Sequence, residues 1–232
     1  MRAPIAFSLV AAAAGAAALT PGCTCVGTPT PPGAAGPAAV KAGPAITAPF
    51  SDDFARAELG SDWHATDQAA YKIVGGELVV ARAYNHPLWL ERPIPRDCTI
   101  EFDAWSNDPA GDIKVEVWGD GKSFATGDRT AAYTSTAYNF IFGGWHNQLS
   151  TIARMHEHGE DRQTRAAPKV EVGRRYHWKI ERTDKRIEWS IDGQPFLSFD
   201  DPQPLDGENH RFFAINDWEA ELHFAHLKIT PR

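Results

Sequence analysis

From Tyr176 to Ile229 the chain alternates apolar and polar residues with hardly an interruption. Tyr176, Trp178 and Ile180 alternate with His177, Lys179 and Glu181; Ile187, Trp189 and Ile191 alternate with Glu188, Ser190 and Asp192. A period of two sends one set of side chains to a buried face and the other to solvent, which predicts half-buried antiparallel strands. Asp192-Gly193, between IEWSI and PFLSF, suits a type I′ hairpin, whose two central positions need a positive φ. Gly75-Gly76 interrupts YKIVGGELVVAR in the same way, and further strands are expected in HPLWLERPI, CTIEFDAWSN, DIKVEVWGDG, TAYNFIFGG, STIARMHEH and KVEV. SDDFARAELGSDW opens this region as a short strand and loop that brings Phe54, Leu59 and Trp63 to a core. No long segment with a 3.6-residue period intervenes, so the pattern predicts an all-β sandwich or barrel, with eight Trp and twelve Phe to fill it.

The first 48 residues lack this pattern. Residues 1–22 carry an early positive charge at Arg2, then an Ala/Leu/Val run and small residues, the layout of a secretory signal. Leu19 to Cys23, LTPGC, resembles a bacterial lipoprotein cleavage box, although Thr20 and Pro21 replace the usual aliphatic and small residues. Lipidation of Cys23 is the expectation; ordinary signal cleavage nearby is the alternative. Residues 23–48 are dense in Pro, Gly, Ala and Thr, cannot bury enough apolar surface to fold, and read as a tether. The folded domain is then 49–232, exported, and either lipid-anchored in the cell envelope or secreted. Cys98 is expected to be either paired with Cys25 or buried and unpaired. Thirty acidic against 23 basic residues give a net charge of −7, which argues against nucleic acid, and with no other long apolar segment the lipid is the expected sole contact with a membrane. A monomer is expected.

Strand parity also nominates chemistry. In TIEFDAW, with Ile100, Phe102 and Ala104 inward, Glu101, Asp103 and Trp105 share the other face. In DIKVEVW, with Ile113, Val115 and Val117 inward, Lys114, Glu116 and Trp118 do. Two neighbouring strands would each show a carboxylate and a tryptophan, the combination with which sugar sites stack a pyranose and accept its hydroxyl hydrogen bonds. A solvated outer face is the alternative. Past Gly143-Gly144, the residues Trp145, His146, Asn147 and Gln148 are placed on a loop, and Arg154, His156 and His158 on one strand face. Such a face suits an acidic or hydroxyl-rich glycan, or a lyase in which a cation neutralises a uronate and His or Tyr moves protons. His156 and His158 have the i, i+2 spacing that lets two imidazoles share an ion, but no third ligand is identifiable. Asp217-Trp218-Glu219 lies between strands, with Trp218 read as structural ahead of ligand-stacking.

The order DDF…LGSDW, YKIVGGELVV, TIEFDAWSN, GDIKVEVW, YHWKIERTDKRIEWSIDGQPFLSFDDPQPL and FFAINDWEAELHFAHLKI resembles the concanavalin A-like lectin/glucanase superfamily over about residues 50–230. More narrowly it is similar to bacterial 3-keto-disaccharide hydrolase-type domains and related exported families of unknown function. The resemblance implies a two-sheet antiparallel jelly roll with carbohydrate as the usual ligand on the concave sheet. It calls for no required cofactor and allows calcium, with Asp52, Asp53 and Asp217 as oxygen donors. Laminarinase-like members carry Glu-x-Asp-x-x-Glu on one strand; here the string from Glu101 through Asp103 ends in Ser106, so the third carboxylate is missing. The leading expectation is a carbohydrate-binding domain whose ligand meets Glu101, Asp103, Trp105, Glu116, Trp118, Trp145, His146, Asn147, Arg154, His156 and His158. Its rivals are a glycoside hydrolase or polysaccharide lyase acting at that face, and an envelope-structural or adhesion protein.

Overall fold

The computed structural model describes residues 42–127 and 133–232. The signal segment, Cys23, Cys25 and most of the tether lie outside the described residues. Strands β1 (Phe50–Asp52), β2 (Trp63–Ala65), β3 (Tyr71–Val74), β4 (Glu77–Ala81), β5 (Leu88–Leu90), β6 (Cys98–Ser106), β7 (Ile113–Gly119) and β8 (Thr134–Gly143) come first. After a short turn at Gly144–Asn147 follow β9 (Leu149–His156), β10 (Gln163–Arg165), β11 (Tyr176–Thr183), β12 (Arg186–Ile191), β13 (Gln194–Asp200), β14 (Phe212–Asn216) and β15 (Glu221–Pro231).

Among the described residues the strand pairings are antiparallel and form two sheets. One has the order β13-β12-β11-β6-β15-β4-β3, with β1 also on β15; the other has the order β10-β9-β8-β7-β14-β5-β2. The period-two reading holds in β11, where burial alternates along Tyr176–Thr183. Asp192 and Gly193 take φ of 53° and 73°, and Gly75 and Gly76 take 63° and 83°, so both hairpins turn where positive φ is demanded. Between the sheets, Trp178 lies 4.5 Å from Trp189 and 5.2 Å from Phe102, centroid to centroid. Phe54 and Trp63 are buried as expected, and Leu59 packs against them from the edge of the core. Burying each such phenylalanine contributes about 2 to 3 kcal/mol. Ahead of β1, Ile46 is buried, and the Gly43 and Ile46 amides donate to Glu91 and Pro93 carbonyls at 2.7 and 2.8 Å.

Two expectations change, and one of the two alternatives for Cys98 is met. KVEV (169–172) is not a strand: the amide and carbonyl of Val170 both bond the Asn147 side chain, and Val172 is exposed. Cys98 is a buried free thiol among the described residues, and burial pushes its pKa up to about 12, which makes it a poor nucleophile. Finally, β6 and β7 belong to different sheets, so their outward faces lie on opposite sides of the sandwich.

Candidate functional site

On β7 the side chains of Ile113, Val115 and Val117 enter the core, and Lys114 and Glu116 point out of the sheet. Both polar side chains are nevertheless buried. Glu116 accepts from Tyr133 Oη at 3.1 Å, from Asn216 Nδ2 at 2.6 Å and from Ser135 Oγ. Lys114 Nζ donates to Asn85 Oδ1 at 2.6 Å and to Glu157 Oε2 at 2.8 Å, and stands 5.5 Å from the Tyr133 ring centre. An ammonium this deep persists because it is paired. Burial works against its charge, but Glu157, Glu116 and Asp112 outweigh burial and raise its pKa.

Around this floor opens a cleft of about 410 Å³. It is lined by Trp145, His146, Trp218 and Glu219 together with Asp112, Lys114, Tyr133, Glu157 and His158. Trp145, His146 and Asn147 all have left-handed backbones, with φ of 53°, 58° and 61°. Such a run of L-residues costs about 1 to 2 kcal/mol at each position. It is held by Asn147, whose Nδ2 donates to the Val170 carbonyl at 2.8 Å and whose Oδ1 accepts the Val170 amide at 2.9 Å. Gly143 precedes the run because a Cβ there would lie 2.6 Å from Asn147 Oδ1 and from Val170. The Trp145 ring meets His158 edge-on at 5.4 Å and the Arg162 guanidinium at 5.3 Å; Trp218 meets Tyr84 edge-on at 5.3 Å.

The cleft carboxyls differ sharply. Burial raises the Asp112 carboxyl to about 7, with Lys114 opposing and Glu157 reinforcing the shift. Its Oδ2 accepts the Trp218 amide at 3.2 Å. Behind it, burial and the charge of Asp112 push Asp217 up to about 8. Glu157 goes the other way: burial would raise its pKa, but the direct Lys114 pair wins and lowers it.

The nominated residues fall into separate places. Glu101, Asp103 and Trp105 lie on the outer face of the eight-stranded sheet, away from Glu116. Trp105 is 8% exposed, stacked on His223 at 5.0 Å with Arg175 at 4.1 Å, so its ring is no open platform. Asp103 receives His177 Nδ1 and His226 Nδ1, each at 2.9 Å. Trp118 corrects the parity reading: its φ is 59°, at the point where β7 slips register against β14, and the ring turns into the core. There its Nε1 donates to the Pro95 carbonyl at 3.1 Å. Arg154, His156 and His158 do not share a strand face, because Met155 has a φ of 60° and β9 ends at His156. Arg154 is tied to Asp201 at 3.1 Å and His156 Nδ1 accepts the His158 amide. Trp145, His146 and His158 do line the cleft, Asn147 braces it from behind, and Glu116 lies under its floor.

Asn85, Asp112, Tyr133, Glu157, Trp218 and Glu219 were not among the nominated residues. Parity did present Lys114 outward, and Trp218 was read as structural, yet it lines the cleft. Of the calcium donors the resemblance allows, Asp52 pairs with Arg56 and Asp217 is buried. Among the described residues no group of three or more His, Cys, Asp or Glu is placed to hold a metal.

In backbone the protein is similar to the Bacillus licheniformis β-glucanase, with a TM-score of 0.58 at 11% identity over 81% of this chain and 100% of that one. The chain has the concanavalin A-like jelly-roll fold. This jelly roll also matches a lichenase derived from a mouse hindgut metagenome, with a TM-score of 0.55 at 10% identity over 79% and 99% of the two chains. A laminarinase from Flavobacterium sp. UMI-01 matches with a TM-score of 0.53 at 9% identity over 78% and 98%. No family model matches the chain. No curated protein matches it in sequence.

Proposed function

We propose that this jelly roll is an exported, lipid-tethered protein that engages a polysaccharide or oligosaccharide in the cleft on the outer face of its seven-stranded sheet. One observation carries the reading: two tryptophans, Trp145 and Trp218, line a cleft together with Asp112, Tyr133 and the buried Lys114, which is ion-paired to Glu157. Aromatic side chains offer stacking surface to the apolar face of a sugar ring, and convergent polar groups read its hydroxyls. The left-handed turn that presents Trp145 is backbone strain at a candidate site, where such strain accumulates. The likeness to a β-glucanase, a lichenase and a laminarinase supports the reading through fold. Export and the lipid on Cys23 rest on the sequence of residues 1–23.

The test is titration calorimetry of the full-length protein against mixed-linkage β-glucan, β-1,3-glucan and mucin O-glycans. Binding that Trp145→Ala and Trp218→Ala each weaken is expected. Binding to none of them, or binding indifferent to both substitutions, removes the carbohydrate reading of this cleft. Palmitate labelling that disappears in Cys23→Ala tests the tether.

A further inference from the structure

The cleft offers a ligand acceptor oxygens, while its donors are already engaged. Counted with His neutral, its lining carries three carboxyls, Asp112, Glu157 and Glu219, against one ammonium, Lys114. That ammonium is 2% exposed and donates to Asn85 Oδ1 and Glu157 Oε2, and Tyr133 Oη is turned to Glu116 at 3.1 Å. Arg162, 5.3 Å from the Trp145 ring, donates to the Glu157 carbonyl at 2.8 Å and is not a lining side chain. Arg154, the cation that an acidic glycan would need, is held by Asp201 and by the Gln203 carbonyl. An anionic sugar therefore meets carboxyls in this cleft and no uncommitted guanidinium or ammonium.

Asp112 is the best placed of the three carboxyls. Its backbone amide donates to the Gly143 carbonyl at 3.0 Å, and its Oδ2 accepts the Trp218 amide at 3.2 Å. The carboxyl is thus fixed between the turn that carries Trp145 and the turn that carries Trp218. Among the described residues neither Asp112 nor Glu219 makes an ion pair; Glu219 is exposed and accepts from Tyr84 Oη at 3.3 Å. Burial against a single amide donor leaves the Asp112 charge poorly compensated, which lifts its pKa to about 7. The partner that such a group lacks is a cation. An ammonium brings three donors and no acceptor, and an indole face beside a carboxylate attracts it further.

We propose that the cleft selects a glycan bearing free primary amines, an amino sugar without its N-acetyl group, and takes the ammonium at Asp112 beside Trp218, with Glu219 adding a second carboxylate. The proposal rests on the carbohydrate reading above and narrows it to a cationic ligand.

The experiment titrates the full-length protein near neutral pH with β-1,4-linked oligomers of glucosamine, N-acetylglucosamine and glucose. At equal length these share a backbone and differ at C2 as ammonium, acetamide and hydroxyl. The glucosamine oligomer should bind at least about tenfold more tightly than the other two, and added salt should narrow the gap. Asp112→Asn should weaken glucosamine binding about tenfold while neutral oligomers stay within about twofold. Glu219→Gln, at an exposed side chain, should weaken it about threefold. Asp103→Asn removes a carboxylate from the opposite side of the sandwich and should leave binding unchanged. Melting temperatures separate misfolding from lost recognition, and the wild-type comparison at C2 decides the proposal without any variant. A neutral oligomer, or any of the three glycans above, bound as tightly as the glucosamine oligomer overturns the proposal and leaves the carbohydrate reading intact. A preference that survives in folded Asp112→Asn, or that falls equally in Asp103→Asn, marks diffuse attraction to an acidic protein and also overturns it. No binding to any glycan ends both readings.

Discussion

The two outer faces of the sandwich carry similar residues in different states. On the eight-stranded sheet Asp103 takes His177 and His226, Lys179 takes Glu181, and Trp105 is covered by His223 and Arg175; Lys179, His177 and His226 remain 39%, 50% and 63% exposed. On the seven-stranded sheet Lys114 is 2% exposed and Glu116 is fully buried. Exposed pairs are screened by water and contribute little, whereas buried charges depend on every partner they have. A tryptophan beside carboxylates is therefore covered on one face, while on the other a cleft stays open above buried charges.

The comparison breaks hardest at Lys114. Lys114→Ala leaves Glu157 and Glu116 without their counter-ion and should destabilise the fold by about 3 to 5 kcal/mol in urea unfolding. A loss under 1 kcal/mol would mean that the floor is not the ion-paired array described. Next comes pH. Burial pushes Asp112 and Asp217 up to about 7 and 8 from an ordinary 3.8, so the folded state binds more protons than the unfolded chain between those limits. Their stabilising contribution is complete below pH 3.8 and is lost as pH rises to about 8. Asp217→Asn should remove part of this slope, so its stability relative to wild type should rise between pH 5 and 8; a constant difference would refute the assignment.

Smaller effects sharpen the contrast. Trp145→Ala and Trp218→Ala should each weaken glycan binding by about 1 to 2 kcal/mol, five- to thirtyfold, with no matching loss of melting temperature. Trp105→Ala should leave binding unchanged; if it weakens binding as much, the ligand sits on the other sheet. Asp103→Asn should change stability by less than about 1 kcal/mol, readable as a melting shift of a few degrees that shrinks in high salt.

Much of the fold was legible because strand burial writes itself as alternation: Tyr176, Trp178 and Ile180 went where parity sent them, and Asp192-Gly193 turned as its φ preferences require. Parity failed where a single backbone irregularity intervened. Trp118 reads as an outward partner of Glu116, but its positive φ at the slip against Phe212 and Phe213 reverses it. Met155 likewise separates Arg154 from His156 and His158. KVEV has strand composition, yet Asn147, 23 residues earlier, claims the backbone of Val170.

By itself the sequence determined the fold class, the hairpin positions and which β7 residues leave the core, since these depend on local backbone preference and a period of two. Tertiary structure alone decided that β6 and β7 part into separate sheets and that Asn85, Tyr133 and Glu157 close over Lys114 and Glu116. It also set Asp112 and Glu157 in opposite electrostatic states. Desolvation and charge pairing act through space among residues distant in the chain, and no local pattern encodes them.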